Sequence, residues 1–199
     1  MAEARTLLQM AGAPLDPARL SRAALVVIDA QGEYQDGDLP LDGIESALAC
    51  IEDLLARARD AGATIVHVAH RGALGRMFDR QAPRGEFLRQ SAPKTGEAVV
   101  EKSLPNAFAG TDLHARLSAA GSKELILAGF MTHMCVSSTA RAALDLGYRV
   151  TIASDACATR ALPDPMGGAA LPAAQVHATA LAELADRFAI VVPSSQIRA

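Results

Sequence analysis

Three residues of this sequence, taken together, have the types needed for nucleophilic chemistry: a thiol, a carboxylate and an amine. Cys135 lies in ILAGFMTHMCVSSTARAALDLGYRV, where an apolar run ends at Gly129 and a short stretch leads into an Ala-rich helical pattern. That arrangement reads as strand, loop and helix, with the thiol at the helix start. The unpaired N–H groups of a helix's first turn favour an anion, so a thiolate there is expected to be accessible near neutral pH. Each unit by which the thiol pKa falls below roughly 8.5 corresponds to about 1.4 kcal/mol in favour of the charged form. A free cysteine also serves well as a small buried hydrophobe, so the thiol needs partners before it counts as a site.

Those partners are sought at the carboxyl ends of strands, where open α/β sheets collect functional groups. Asp29 ends the apolar run in VVIDAQ, and Lys102 ends the run in VVEKSLPNAF. A nucleophilic cysteine needs a group that takes its proton and later hands one to the leaving group; a carboxylate shielded from water can do both. Asp29, preceded by four apolar residues, fits that role. A nearby ammonium, Lys102, would hold the carboxylate, favour the thiolate and keep two anions from repelling each other. Singly, an Asp at a strand end often caps a helix and a Lys there is usually solvated. Their joint placement with Cys135 on three strand ends is what gives them meaning.

The elements that must position them are legible as alternation. Short runs rich in Val, Ile and Ala recur at 23–29, 64–69, 97–102, 124–129, 149–154 and 189–192 and read as buried parallel strands. Segments of helical period lie between most of them, at 43–61, 112–120, 134–146 and 173–188. Strands alternating with helices imply an α/β fold with a parallel sheet covered on both faces. Gly62, Gly121 and Gly147 each follow a helical stretch, where a left-handed cap is wanted. The segment from His70 to Gly96 has no clear periodicity and carries several Gly and Pro residues, which suits either a binding loop or a tolerated surface excursion. Leu162 to Pro172 is expected to be an irregular loop.

A chain of 199 residues is expected to form one domain, 1–199, with an amphipathic helical extension over 1–22. With 4% aromatic residues and a net charge of −3, it has neither a nucleic-acid footprint nor a basic membrane-binding face. No window is long enough to span a bilayer, and the N-terminus lacks a signal-peptide core. Three widely spaced cysteines fit a reducing compartment better than a disulfide framework, so a cytoplasmic location is expected.

VVIDAQ with Tyr34, then EKSLPNAFAGTDL, then GFMTHMCVSSTARAALDLGYRVTIASDACAT resemble the isochorismatase-like cysteine hydrolase superfamily, from about residue 20 to 192. The resemblance implies a three-layer α/β/α sandwich around a central, mainly parallel six-stranded, Rossmann-like sheet. It implies a catalytic triad of Asp29, Lys102 and Cys135, coinciding with the roles reasoned above. It further implies a cis peptide between Phe130 and Met131, with the backbone N–H groups of Met131 and Cys135 as an oxyanion hole; one such donor is worth about 3 kcal/mol. Homodimers or homotetramers are also implied.

Some features depart from parts of that family. Its nicotinamidases hold a metal near an Asp-x-His sequence, whereas this chain reads VAHRGALGR, with His67 and His70 on opposite faces of one strand. No metal and no other cofactor is expected. Members that cleave the vinyl ether of isochorismate commonly lack the thiol, so Cys135 points toward acyl transfer: hydrolysis of a small amide, carbamoyl or related carbonyl compound through a thioester. The alternatives are Asp-driven isochorismate hydrolysis, and a non-enzymatic thiol sensor or ligand-binding module. Substrate contacts are expected from Gln31, Tyr34, His70, Phe108 and His133, with Phe108 as an apolar wall.

Overall fold

The computed structural model describes residues 3–199. Strands and helices follow in the order α1 (Leu7–Met10), β1 (Ala24–Ile28), α2 (Ile44–Asp60), β2 (Thr64–His70), β3 (Ala98–Lys102), α3 (Leu113–Ala119), β4 (Glu124–Phe130), α4 (Ser137–Asp145), β5 (Arg149–Ala158), α5 (Ala173–Arg187) and β6 (Ile190–Val192). The strands form one sheet in the order β3-β2-β1-β4-β5-β6, and every pairing is parallel.

The period of two along β1 divides its residues between two cores. Leu25 and Val27 face α2, packing with Leu48, Ile51 and Leu55. Ala24, Val26 and Ile28 face the other way, with Leu113 and Leu117 of α3, Ala140 and Ala143 of α4 and Leu184 of α5. This is the three-layer α/β/α sandwich. The chain builds β1, β2 and β3 outward in one direction, then returns so that β4 lies on the opposite side of β1. A crevice opens where the strand order reverses, between the carboxyl ends of β1 and β4.

At that point β1 and β4 approach unusually closely. Gly129 has φ +112°, and a Cβ there would overlap the Ile28 carbonyl oxygen. Register between β4 and β5 also shifts between Leu127 and Gly129, so that Gly129 pairs with Cys157 and Phe130 with Ala158. Bulges commonly re-aim a strand end beside a functional site.

The helical extension expected over 1–22 is a single short turn, Leu7–Met10; Met1 and Ala2 lie outside the described residues. Thr6 and Gln9 cap each other reciprocally there, and the Leu7 N–H donates to Asp186 at 2.8 Å. Gly12 at φ +63° then turns the chain, and Pro14 and Pro17 cannot donate to a continuing helix. No helix among the described residues is long and apolar enough to cross a membrane.

Candidate active site

Asp29, Lys102 and Cys135 meet at the crevice. Lys102 Nζ lies 2.6 Å from Asp29 Oδ2 and donates to Cys135 Sγ at 3.3 Å. To get there from β3, the lysine reaches across the end of β2, where His70 is its register partner. His70 Nδ1 is 3.3 Å from the same ammonium. One amine therefore touches a carboxylate, a thiol and an imidazole. The side chains of Asp29 and Lys102 are fully buried, and Cys135 is nearly so.

Burial of this ion pair calls for a functional explanation. Removing two charges from water costs several kcal/mol per ion, and an apolar pair of similar volume is often as stable or more so. A buried pair beside a thiol in a crevice is thus better evidence for chemistry than for stability. Burial also dominates the proton affinities. It raises the Asp29 carboxyl above its ordinary value, while the Lys102 charge and contacts from Lys102, Cys135 and His70 pull it back. Among the described residues neither Asp29 oxygen has a well-aligned hydrogen bond, so its contacts with Lys102 and the thiol act through charge and proximity. The carboxylate keeps its lone pairs free to receive a proton.

Cys135 departs from expectation. Burial pushes its thiol up to about 12, with the Asp29 charge adding to the rise and Lys102 opposing it. The thiolate accessible near neutral pH expected from a helix start is therefore not the resting state. Apolar surroundings outweigh the helix terminus, so the proton must leave as the sulfur reacts. The helix itself begins at Ser137; Cys135 sits two residues earlier, in a π-turn spanning Thr132–Val136. The peptide between Phe130 and Met131 is cis, and the Met134 and Val136 N–H groups both donate to the Met131 carbonyl. Asp29 is held at φ +51°, a conformation a non-glycine residue adopts at a cost of order 1 kcal/mol or more.

The expected substrate contacts divide. His70 stands in the site, edge-on to Phe78 with ring centroids 5.0 Å apart. Burial and the Lys102 charge lower its pKa to about 4, so it is a neutral acceptor for the ammonium. Tyr34 is buried edge-on against Phe78 and Phe130, and its hydroxyl is raised by burial first and then by the charges of Asp29 and Cys135, which places it beside the site.

Gln31 does not line a pocket. Its amide nitrogen donates to the carbonyls of His70 at 3.0 Å and Gly85 at 2.7 Å, and its oxygen accepts from the His70 N–H at 2.8 Å. The side chain completes backbone pairing between the end of β2 and the following loop. Phe108 is half-buried, and its ring stacks on Tyr148 at 5.8 Å, where it hides apolar surface. His133 is held 2.5 Å from Thr159 Oγ1 and lines a side groove with Leu162, Leu171 and Val176.

Two residues beside the site went unremarked in the sequence. Phe78, buried at φ +60°, brings the 70–96 segment down over Tyr34 and His70. The segment is anchored beneath by Leu88 N–H and Ser91 Oγ, both donating to the Ala30 carbonyl at 2.9 Å. Arg160, just past β5, projects its charge onto Tyr34 and His133. Among the described residues its Nε is buried without a partner, and Nη1 donates to the adjacent Ala161 carbonyl at 3.2 Å. The signal for Arg160 was a cation within two residues of a strand's carboxyl end. His67, by contrast, is committed to Glu97 at 2.8 Å on the far side of β2.

Comparison with known proteins identifies the family. The family model for the isochorismatase domain matches residues 23–196. A secreted isochorismatase effector of Verticillium dahliae is 41% identical over 189 residues, covering 94% of this chain and 96% of that protein. A maleamate amidohydrolase of Pseudomonas putida is 31% identical over 156 residues, 70% of this chain and 73% of its own. Among solved structures, an isochorismatase from Pseudomonas putida matches with TM-score 0.94 at 45% identity, over 98% of this chain and 100% of that one. An N-carbamoylsarcosine amidase from Thermoplasma acidophilum matches with TM-score 0.75 at 26% identity, over 89% of this chain and 99% of that one.

Proposed function

The chain belongs to the isochorismatase family of hydrolases, and from that premise we propose that it is a cysteine-dependent hydrolase of a small amide, carbamoyl or related carbonyl compound. The observation that carries the proposal is one buried ammonium 2.6 Å from a carboxylate and 3.3 Å from a thiol. Similarity to a maleamate amidohydrolase and an N-carbamoylsarcosine amidase supports carbon–nitrogen cleavage.

In the proposed cycle Cys135 Sγ attacks the carbonyl carbon as its proton passes to Asp29. The carbonyl electron pair moves onto oxygen, where the N–H groups of Met131 and Cys135 receive it. Collapse re-forms the carbonyl and breaks the C–N bond, and Asp29 returns the proton to the departing nitrogen. Water, deprotonated by Asp29, then cleaves the thioester and restores the thiol. The Lys102 ammonium, beside both the carboxylate and the thiol, offsets whichever neighbour carries the negative charge. Coupling attack to proton transfer suits a thiol that burial holds near 12, because free thiolate never has to accumulate.

Arg160, whose Nε is buried without a partner among the described residues and whose charge reaches Tyr34, favours a substrate bearing a carboxylate. The rival reading is Asp-driven vinyl-ether hydrolysis of isochorismate, favoured by similarity to a secreted isochorismatase effector and to an isochorismatase of known structure. A panel of small amides, ureido acids and isochorismate, assayed with wild type, Cys135→Ala and Asp29→Ala, separates the two. Thiol-dependent amide hydrolysis should be lost by at least about 1,000-fold in either variant, roughly 4 kcal/mol. Isochorismate hydrolysis that survives Cys135→Ala but not Asp29→Ala would establish the rival.

A further inference from the structure

Behind the nucleophile turn lies a contact the catalytic cycle does not use. Thr132 is fully buried directly after the Phe130–Met131 peptide, at the head of the turn that carries Cys135. Its hydroxyl donates to the Ala158 carbonyl at 3.1 Å. His177 Nδ1, from α5, stands 2.9 Å from the same oxygen. The threonine's only proton is engaged with Ala158, so its oxygen is left to accept, and the His177 nitrogen facing it must be the donor. The imidazole is half-buried and borders a cavity of about 420 Å³ lined also by Asp42, Cys157 and Ala173.

We propose that His177 is a positioning residue for the nucleophile turn: its Nδ1–H holds Thr132, and through Thr132 it fixes the Met131 and Cys135 N–H groups against the substrate oxygen. The inference rests on the thioester reading above. Two bonds on one hydroxyl, one to β5 and one to α5, tie the turn to two separate elements. An apolar residue at 177 could pack α5 equally well but could not direct that oxygen. Protonating His177 adds a hydrogen at Nε2 and leaves the Nδ1 donor in place, so the clamp holds on both sides of its titration. Its loss should therefore lower activity at every pH without moving the limbs of the profile.

The test uses p-nitrophenyl acetate as acyl donor and reads the burst of nitrophenolate, which reports acylation of the thiol. Because misplacement of a reacting group by about 1 Å can cost on the order of 100-fold, His177→Phe should slow the burst roughly 10- to 100-fold while binding changes little. His177→Asn puts an amide N–H near the Nδ1 position and should recover most of the loss. Thr132→Val should slow the burst similarly, and the Thr132→Val, His177→Phe double variant should be no slower than Thr132→Val alone. A wild-type burst rate in His177→Phe, independent multiplication of the two losses, or an Asn variant as slow as Phe would each overturn the inference. Should His177→Phe not fold, as read by circular dichroism, His177→Asn against His177→Gln decides. Gln carries its donor one atom further out, so a fast Asn with a slow Gln supports the clamp and equal rates refute it. Cys135→Ala is the control: a burst surviving in that variant sinks the thioester reading and this inference with it, whereas a burst lost there but unaffected in His177→Phe sinks the clamp alone.

Discussion

Replacing Lys102 by Met nearly preserves the side chain's length and shape and deletes its charge. The ammonium lies 3.3 Å from Cys135 Sγ, and at an effective dielectric of about 20 that contact is worth roughly 5 kcal/mol to a thiolate. If half of this is recovered by rearrangement, about two pKa units remain. A thiol already pushed up to about 12 would climb further, and Asp29, deprived of its partner 2.6 Å away, would hold its proton. Alkylation of Cys135 by iodoacetamide, followed by peptide mass mapping between pH 7 and 10, should slow by at least about 100-fold. Stability adds a second signature. A carboxyl raised in the folded state contributes fully below its ordinary 3.8 and loses that contribution as pH rises through the folded value. Without Lys102 the folded value is higher still, so the Tm deficit of the variant should be larger at pH 8 than at pH 5. Alkylation within threefold of wild type, with a pH-independent Tm deficit, would refute the reasoning that this ammonium governs both neighbours.

The other expectations are more local. His70 has its pKa depressed to about 4, so its contribution to stability is complete above its ordinary 6.5 and is lost as pH falls through about 4; His70→Phe should lose less Tm than wild type between pH 7 and pH 4. Gly129→Ala must force a Cβ against the Ile28 carbonyl at φ +112°, and should cost at least about 2 kcal/mol, read as a lowered Tm; an unchanged Tm would mean β1 and β4 can separate there. Arg160→Gln should raise KM roughly 10- to 100-fold for a carboxylate-bearing amide, the worth of about 1.5–3 kcal/mol for a hydrogen bond to a charge, while leaving kcat and neutral amides unchanged. Equal effects on charged and neutral substrates would remove Arg160 from the substrate's carboxylate.

Legibility followed periodicity. β1 to β4 and the main helices stand within a residue or two of where alternation and helical period put them, since one apolar run or stripe per element is enough to mark it. β5 runs on to Ala158 although its apolar run stops at Ser154, because the shift beside Gly129 lets the polar pair Ser154–Asp155 pass before pairing resumes at Cys157. The helix after Cys135 starts later than its pattern suggested, because a π-turn consumes residues that are themselves periodic. Asp29, Lys102 and Cys135 were visible as chemical types at strand ends. What could not be read was what irregular backbone does with its side chains. Gln31 looks like a pocket polar group, but its amide matches a peptide so well that backbone groups take it. Phe78 comes from a loop without period, so nothing in its spacing announces that it covers His70. The thiol's proton affinity depends on how completely neighbouring elements exclude water, a property of the assembled fold and not of a helix start.

Rapid-quench mass spectrometry of the enzyme turning over a hydrolysed amide from the panel tests the central claim most directly. An acyl adduct, heavier by the acyl group and lighter by one hydrogen, is expected on the peptide containing Cys135, present in wild type and missing in Cys135→Ala together with turnover. Steady turnover by Cys135→Ala, or an adduct mapped to another residue, would contradict it.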